Sequence, residues 1–448
     1  MSRYTFKIGG IHPDDSKISR DCRIEELPLP EEVSVSMAQH LGAPATPKVE
    51  VGDKVKVGDV IGEPSAFISA FVHSPVSGTV KAIGPRKDLA GKLVTHIDIT
   101  VEGDEWAEGI DLSDALVREI PEDKGAMLDR IRLCGVVGLG GATFPTHVKL
   151  SPATPAECLI INGAECEPYL TSDFRLLLEK TCEVLVGAEI MRRVLGGCRC
   201  VVAVEENKPE AISALRKSVV ELALESVEVA VLKKKYPQGG EKQLIAAVMG
   251  REVKSGGLPI SVGAVVQNVS TAFAVYEAVQ KNKPCIQNVL TVTGDCLEAE
   301  KNRNFRFRIG IPLSYIANYA GGVPENAVKI VSGGPMMGKA ISNMEATTVK
   351  GTSSILYLGA KTKRMEETSC IRCGRCADAC PMGLEPFLLN RLARIKDNES
   401  LEKHSVQDCI ECGCCLYSCP AGIPLLDIIR PAKGQVLGII KARAAKKQ

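Results

Sequence analysis

One cysteine spacing occurs twice near the end of the chain. The first run reads Cys370-Ile-Arg-Cys373-Gly-Arg-Cys376-Ala-Asp-Ala-Cys380-Pro381, the second Cys409-Ile-Glu-Cys412-Gly-Cys414-Cys415-Leu-Tyr-Ser-Cys419-Pro420. Both are C-x-x-C-x-x-C-x-x-x-C-P, the spacing that wraps a [4Fe–4S] cube and sends its fourth thiolate to the neighbouring cluster. Two-residue gaps let three sulfurs converge on one cluster face, and the short helix that follows carries the fourth away. The expected ligands are therefore Cys370, Cys373, Cys376 and Cys419 for one cluster, and Cys409, Cys412, Cys415 and Cys380 for the other. Cys414 is surplus. Zinc knots use paired C-x-x-C knuckles, not two complete four-cysteine runs each ending in Pro. Disulfides need an oxidising compartment, and residues 1–10 carry no apolar stretch of a secretory signal. The chemistry expected of such a chain is electron transfer.

A length of 448 residues exceeds one core and implies about three or four domains. With 45% hydrophobic and 24% charged residues the composition is that of a globular chain. A net charge of +1 gives no electrostatic reason for a nucleic-acid partner. Only the tail, with Lys441, Arg443, Lys446 and Lys447, is locally basic. Nine further cysteines, Cys22 to Cys296, lack ligand spacing and suit a reducing cytoplasm. Residues 255–276 carry no charge, but Pro259, Gln267, Asn268, Ser270 and Thr271 argue for a buried turn and helix rather than a membrane span. Any membrane association is expected to be peripheral.

The first hundred residues read as β. Short β-branched runs at 49–55, 57–62 and 76–83 are broken by Gly-Asp and Ser-Gly turns. They resemble the barrel-sandwich hybrid of biotinyl and lipoyl carriers, yet residues 63–73, where the carrier lysine would stand, contain none. A scaffold or docking module is expected instead. From about Lys124 the pattern becomes α/β: helices at 127–134, 176–195 and 210–224, strands at 158–162, 200–204 and 227–232. Such repetition predicts a parallel sheet with right-handed crossovers and ligands beyond the C-terminal strand ends, at 162–165, 205–207 and 233–240. Residues 286–331 follow as a small α+β unit of the β-grasp kind, with a helix near 313–319. Residues 361–367 read as a charged linker, and 384–395 as the helix between the cysteine runs.

A glycine loop, Gly135-Val-Val-Gly138-Leu-Gly140-Gly141-Ala-Thr-Phe144-Pro145, is the second chemical signal. Dense glycine brings backbone N–H groups close to a ring or phosphate. A dinucleotide fingerprint needs a strand before the glycines and a helix after them, whereas here a helix precedes and Pro145 interrupts. A plain structural loop is the alternative at this point.

Residues 138–149, Gly138-Leu-Gly-Gly-Ala-Thr-Phe-Pro-Thr-His-Val-Lys149, resemble the flavin loop of the NADH-oxidising, FMN-binding subunit of respiratory complex I. Asn162-Gly-Ala-Glu165-Cys-Glu167-Pro168 resembles its acidic motif, Gly239-Gly240-Glu241-Lys242 its Gly-Glu loop, and residues 265–271 its Asn-rich segment. Together with Gly9-Gly10-Ile11-His12-Pro13 and the doubled cysteine run, the set is similar to the C subunits of Rnf electron-transport complexes over nearly the whole chain.

The resemblance implies a multidomain α/β and α+β fold. Its parts are a barrel-sandwich hybrid (1–115), a Rossmann-like FMN/NADH domain (116–284), a β-grasp domain (285–350), an α-helical double [4Fe–4S] ferredoxin domain (360–432) and a tail (433–448). It implies that Gly138, Gly140, Gly141 and Lys149 hold the phosphate side of a non-covalent FMN. Asn162, Glu165, Gly240, Glu241 and Asn268 would line the ring and ribityl chain, and Phe144 and Glu167 would face NADH. Complex I carries Arg at the place of Leu139, Asp at Ala164 and Glu at Lys242; Lys242 would favour a reduced, anionic flavin. The implied activity is the electron-input step of a membrane-bound NADH:ferredoxin oxidoreductase coupled to ion translocation. Hydride would pass from NADH to FMN, and single electrons through two clusters to partner subunits, one an iron–sulfur subunit exchanging electrons with ferredoxin. The expected position is the cytoplasmic side of the membrane. Two other readings are a soluble flavin/iron–sulfur cobalamin reductase and an electron-transfer adaptor that binds no nucleotide.

Overall fold

A computed structural model describes residues 3–360 and 365–445. The expected linker therefore falls in part outside the described residues, as does the end of the basic tail, including Lys446 and Lys447.

The α/β unit is organised by one four-stranded parallel sheet: β1 (Cys158–Gly163), β2 (Arg199–Glu205), β3 (Val227–Leu232) and β4 (Ala264–Asn268), in the order β3-β2-β1-β4. Alternate residues of the apolar strands serve two cores, because side chains alternate across a sheet. Leu159, Ile161, Val202 and Val204 join one cluster, whereas Cys158, Ile160, Val201 and Ala203 join another. The first face is covered by α1 (Lys124–Leu133), α2 (Ser172–Glu179), α3 (Thr181–Val194), α4 (Pro209–Glu221) and α6 (Val269–Lys281); α5 (Glu241–Met249) covers the second. Strand order runs outward from β1 through β3 and then returns to its other side at β4. That reversal opens a crevice at the carboxyl ends of β1 and β4.

Three local expectations are corrected. The helix expected over 176–195 is two helices, broken at Lys180, whose φ of −134° leaves the helical region. The stretch 255–276 holds a strand, β4, between its turn and helix: Ala264, Val265 and Val266 are buried on an edge strand covered on both faces, which shows no polar alternation. Ser77-Gly78 does not turn but opens the strand Ser77–Lys87, and a Cβ at Gly78 would sit 1.9 Å from the Thr100 carbonyl oxygen.

The N-terminal domain pairs a four-stranded sheet (Glu32–Ser36, Leu93–Gly103, Ser77–Lys87, Lys54–Val55) with a three-stranded one (Thr46–Pro47, Val60–Glu63, Val72–His73). Its core residues Val33, Val35, Met37, Ile97 and Ile99 are continuous with Leu290, Phe305, Phe307, Leu313 and Tyr357 of the β-grasp unit. That unit is a six-stranded sheet to which the early segment Ile24–Glu26 adds an edge strand, paired in parallel with Arg303–Arg308. Ahead of it, Tyr4 and Ile11 bond to Val231, Lys233 and Tyr236, so the first residues strap the open edge of β3. In the C-terminal domain, helices Pro386–Arg394, Asn398–Lys403 and Leu425–Ala445 bury Leu389, Leu401, Ile429 and Val436 in one core. The last helix continues through Pro431 into the tail.

Candidate functional site

The glycine loop sits on the crevice. Gly138 N–H donates to the Phe144 carbonyl at 2.9 Å and Thr143 N–H to the Gly138 carbonyl at 3.1 Å, closing it into a tight hairpin. Leu139 N–H donates to Thr271 Oγ1 at 2.9 Å, docking the loop on the first turn of α6. A Cβ at Gly140 would lie 2.9 Å from Cβ of Asn268, so only glycine lets the loop lie this close to the strand end. Gly141, at φ +115°, is exposed with nothing within 4 Å of where a Cβ would be. This leaves its backbone open to a ligand.

Around the loop the structure gathers the residues expected for the flavin. Asn162 and Asn268 are paired neighbours in β1 and β4. Asn162 Nδ2 donates to the Gly239 carbonyl at 2.9 Å, bringing in the Gly239-Gly240-Glu241 turn that starts α5. Lys149 and Glu241 form an ion pair at 2.7 Å. Asn268 caps α6 and donates to Asp173 at 2.7 Å, and the Asp173 N–H donates to Glu165 Oε1 at 2.7 Å. Glu165 Oε2 is buried without a hydrogen-bond partner, 4.0 Å from Lys17 Nζ. Lys17 itself donates to the carbonyls of Glu165, Glu167 and Leu170. Burial pushes the Glu165 carboxyl up and the Lys17 ammonium down. The glycine that crowds Asn268, the open amide of Gly141 and the orphaned carboxylate oxygen fit a polar planar ligand at this crevice.

Phe144 is half-buried in the loop. Glu167 has its carboxylate occupied: it accepts from Met336 N–H and Met337 N–H, each at 3.0 Å, and lies 3.1 Å from the Tyr236 hydroxyl. The same hydroxyl is 2.8 Å from the Cys412 carbonyl, so one phenolic proton serves two acceptors. The ligand Glu167 meets here is the rest of the protein. Asp173, Lys17 and Tyr236 were missed as site residues because a lone Asp, Lys or Tyr carries no spacing signal.

The cysteine runs meet as well. Cys380 of the first run lines one cavity with Cys409, Cys412, Cys414 and Cys415 of the second, and its walls carry no carboxylate or imidazole. Among the described residues no three Cys, His, Asp or Glu close round a single metal ion. The thiols are spread round a wider void in apolar surroundings, which fits a sulfur-ligated multi-iron body. Burial, then the neighbouring thiols, pushes the Cys409 thiol up to about 11, so metal binding there must displace protons. Cys376 has Cys419 as a charge neighbour and both pack on the domain core, while Cys370 and Cys373 are exposed. Cys414 is fully buried, its thiol donating to the Tyr236 carbonyl at 3.9 Å.

The two sites adjoin. Gly10 N–H donates to the Ala379 carbonyl at 2.9 Å, and a Cβ at Gly9 (φ +60°) would sit 2.3 Å from the Cys380 oxygen. Gln243 of α5 reaches the Pro381 carbonyl at 3.3 Å. Ile11, Tyr236, Ala379, Cys412 and Cys414 share one small core.

Against known proteins, residues 4–105 match the RnfC barrel sandwich hybrid domain, 131–277 the Nuo51 FMN-binding domain and 359–423 a 4Fe–4S dicluster domain. The C subunit of the proton-translocating ferredoxin:NAD(+) oxidoreductase complex of Clostridium ljungdahlii is 44% identical over 413 residues, 89% of this chain and 87% of the relative. The chain belongs to the RnfC family, the C subunits of Rnf complexes. Another RnfC protein, from the Na(+)-translocating complex of Acetobacterium woodii, is 40% identical over 445 residues, 97% of each chain. The C subunit of the Rhodobacter capsulatus ion-translocating oxidoreductase complex is 40% identical over 442 residues, 96% of this chain and 83% of its own. Among solved structures, an NAD+-reducing [NiFe]-hydrogenase chain in the H2-reduced state superposes with a TM-score of 0.50 at 20% identity. It covers 71% of this chain and 64% of its own length, a likeness of fold.

Proposed function

We propose that this chain is the electron-input subunit of a membrane-bound, ion-translocating NADH:ferredoxin oxidoreductase, working reversibly between NADH and partner iron–sulfur proteins. The observation that carries the reading is the adjacency of a flavin-type crevice and a cavity lined by five cysteines of both runs, joined through α5 and Tyr236. FMN, when bound, converts a two-electron hydride into single electrons. The chain's own residues do the rest. The Gly138, Gly140 and Gly141 amides and Lys149 hold the phosphate side, with Glu241 fixing the lysine's direction. Asn162, Glu165, Gly240 and Asn268 border the ring and ribityl chain. Phe144 offers its ring to the nicotinamide nucleotide, and Glu167 holds the wall of that site against the 336–337 loop.

Cys380, Cys409, Cys412 and Cys415 ligate the cluster beside the flavin crevice; Cys370, Cys373, Cys376 and Cys419 ligate the outer one, next to the exposed Cys370–Cys373 rim. Electrons thus leave through the outer cluster to a partner protein of the complex. No helix of the described residues is long and apolar enough to cross a membrane, and the proposed position is peripheral, on the cytoplasmic face with the NADH pool.

Anaerobically reconstituted chain should show a flavin absorption band that NADH bleaches, followed by cluster reduction. Gly140→Val should abolish the flavin, because its Cβ meets Asn268, and leave the iron content unchanged. Protein without a flavin band is an adaptor. A flavin that passes electrons to cobalamin but to no membrane partner would favour the soluble reductase.

A further inference from the structure

In a chain with only 4% aromatic residues, Phe67 is 81% exposed on a loop that is not loose. Ser65 Oγ donates to the Pro44 carbonyl at 2.6 Å, Ser69 Oγ to the Ala43 carbonyl at 2.9 Å, and Ala70 N–H to His40 Nε2 at 3.1 Å. Ala43 N–H donates to the Ile68 carbonyl at 3.0 Å. A Cβ at Gly42 would sit 2.1 Å from the Ile68 oxygen, so the two segments are in backbone contact. Just beyond the loop, Lys350 Nζ binds the carbonyls of Phe71 and Gly135 together, anchoring this loop to the base of the glycine loop. An apolar side chain held rigidly in water costs free energy that a purely structural loop would avoid.

The patch has a neighbour. Leu41, 57% exposed, donates its N–H to the Thr143 carbonyl at 3.1 Å, and the backbone contact of Gly42 with Ile68 brings Ile68 and its neighbour Phe67 next to that point on the glycine loop. The other rim carries the Lys149–Glu241 ion pair, suited to phosphate and not to a base. A dinucleotide with its nicotinamide at the crevice must lead its adenosine half out over one rim, and the Thr143 side offers an apolar and aromatic face. Base stacking on an aromatic ring is the chemistry such a face supplies.

We propose that the N-terminal domain completes the dinucleotide site, with Phe67, flanked by Leu41 and Ile68, as the platform for the adenine ring. This rests on the reading of the chain as an NADH oxidoreductase. The test compares NADH with reduced nicotinamide mononucleotide, which carries the same hydride but no adenosine, on the full reconstituted chain. In Phe67→Ala the concentration dependence of flavin bleaching should weaken roughly tenfold for NADH and stay unchanged for the mononucleotide. Phe67→Trp should retain NADH kinetics, and ADP-ribose should quench its new fluorescence; Trp106 is the chain's one native tryptophan. Unchanged NADH kinetics in Phe67→Ala beside a responsive wild type, or no quenching by ADP-ribose, overturns the platform alone. If Phe67→Ala instead loses only its retention on the membrane complex, the patch docks a neighbouring protein of that complex and the proposal is wrong. A wild-type flavin that NADH cannot bleach overturns the electron-input reading and the platform with it.

Discussion

Lys350 is a fully buried ammonium that ties the N-terminal sandwich to the flavin domain through two carbonyls, and its charge reaches two buried histidines. Burial first, and Lys350 second, holds His73 down to about 3 and His40 down to about 4, from an ordinary 6.5. Both stay neutral in the fold, and the unfolded chain takes up protons that the folded chain refuses. Their contribution is therefore complete above about pH 6.5 and is lost as pH falls through 6.5 towards 4, at a limiting slope of about 1.4 kcal/mol per unit for each histidine. The melting temperature should drop between pH 7 and pH 5, and His73→Gln should flatten that drop; an equal drop in the variant would exclude His73 as the source. None of this was legible in the sequence, where His40, His73 and Lys350 are isolated residues. The chain distances between them, up to 310 positions, close only in three dimensions.

At the scale of elements, α5 does two jobs. Its N-terminal turn, Gly240-Glu241, sits on the crevice beside Asn162 and Lys149, and two residues on, in the same turn, Gln243 bonds the Pro381 carbonyl beside Cys380. Shortening this side chain should loosen the seam between crevice and cluster without touching either cofactor set. Gln243→Ala is expected to keep full flavin and iron contents while stopped-flow cluster reduction by NADH slows several-fold; an unaltered rate would place the seam's stiffness elsewhere. Regular periodicity made β1, β2, β3 and α4 readable, and the helix Leu313–Tyr319 too. The misses have a common cause. Strand β4 is buried on both faces and so lacks alternation, and the break at Lys180 interrupts an apolar pattern that continues across it.

For the whole molecule, the proposed crossed ligation, in which each cysteine run sends one thiol to the other's cluster, makes a direct prediction. Cys380→Ser should damage the cluster built on Cys409, Cys412 and Cys415, and Cys419→Ser the one built on Cys370, Cys373 and Cys376, each leaving about four irons per chain. Electron paramagnetic resonance would distinguish the two, and damage confined to the mutated run's own cluster would rule out crossing. The inner, buried site should also be the slower to lose iron to a chelator than the rim at Cys370 and Cys373. Local spacing by itself determined the dicluster character of the C-terminal domain, the presence of a glycine loop and the parallel strands beside it, because each of those depends on residues within a few turns of one another. Which groups face which was decided only by tertiary structure. Glu167 spends its carboxylate on the 336–337 loop, Gly9 is needed because Cys380 lies against it, and Leu41 of the N-terminal domain bonds to Thr143 of the glycine loop. Such contacts join segments tens to hundreds of residues apart, and a one-dimensional pattern carries no term for them.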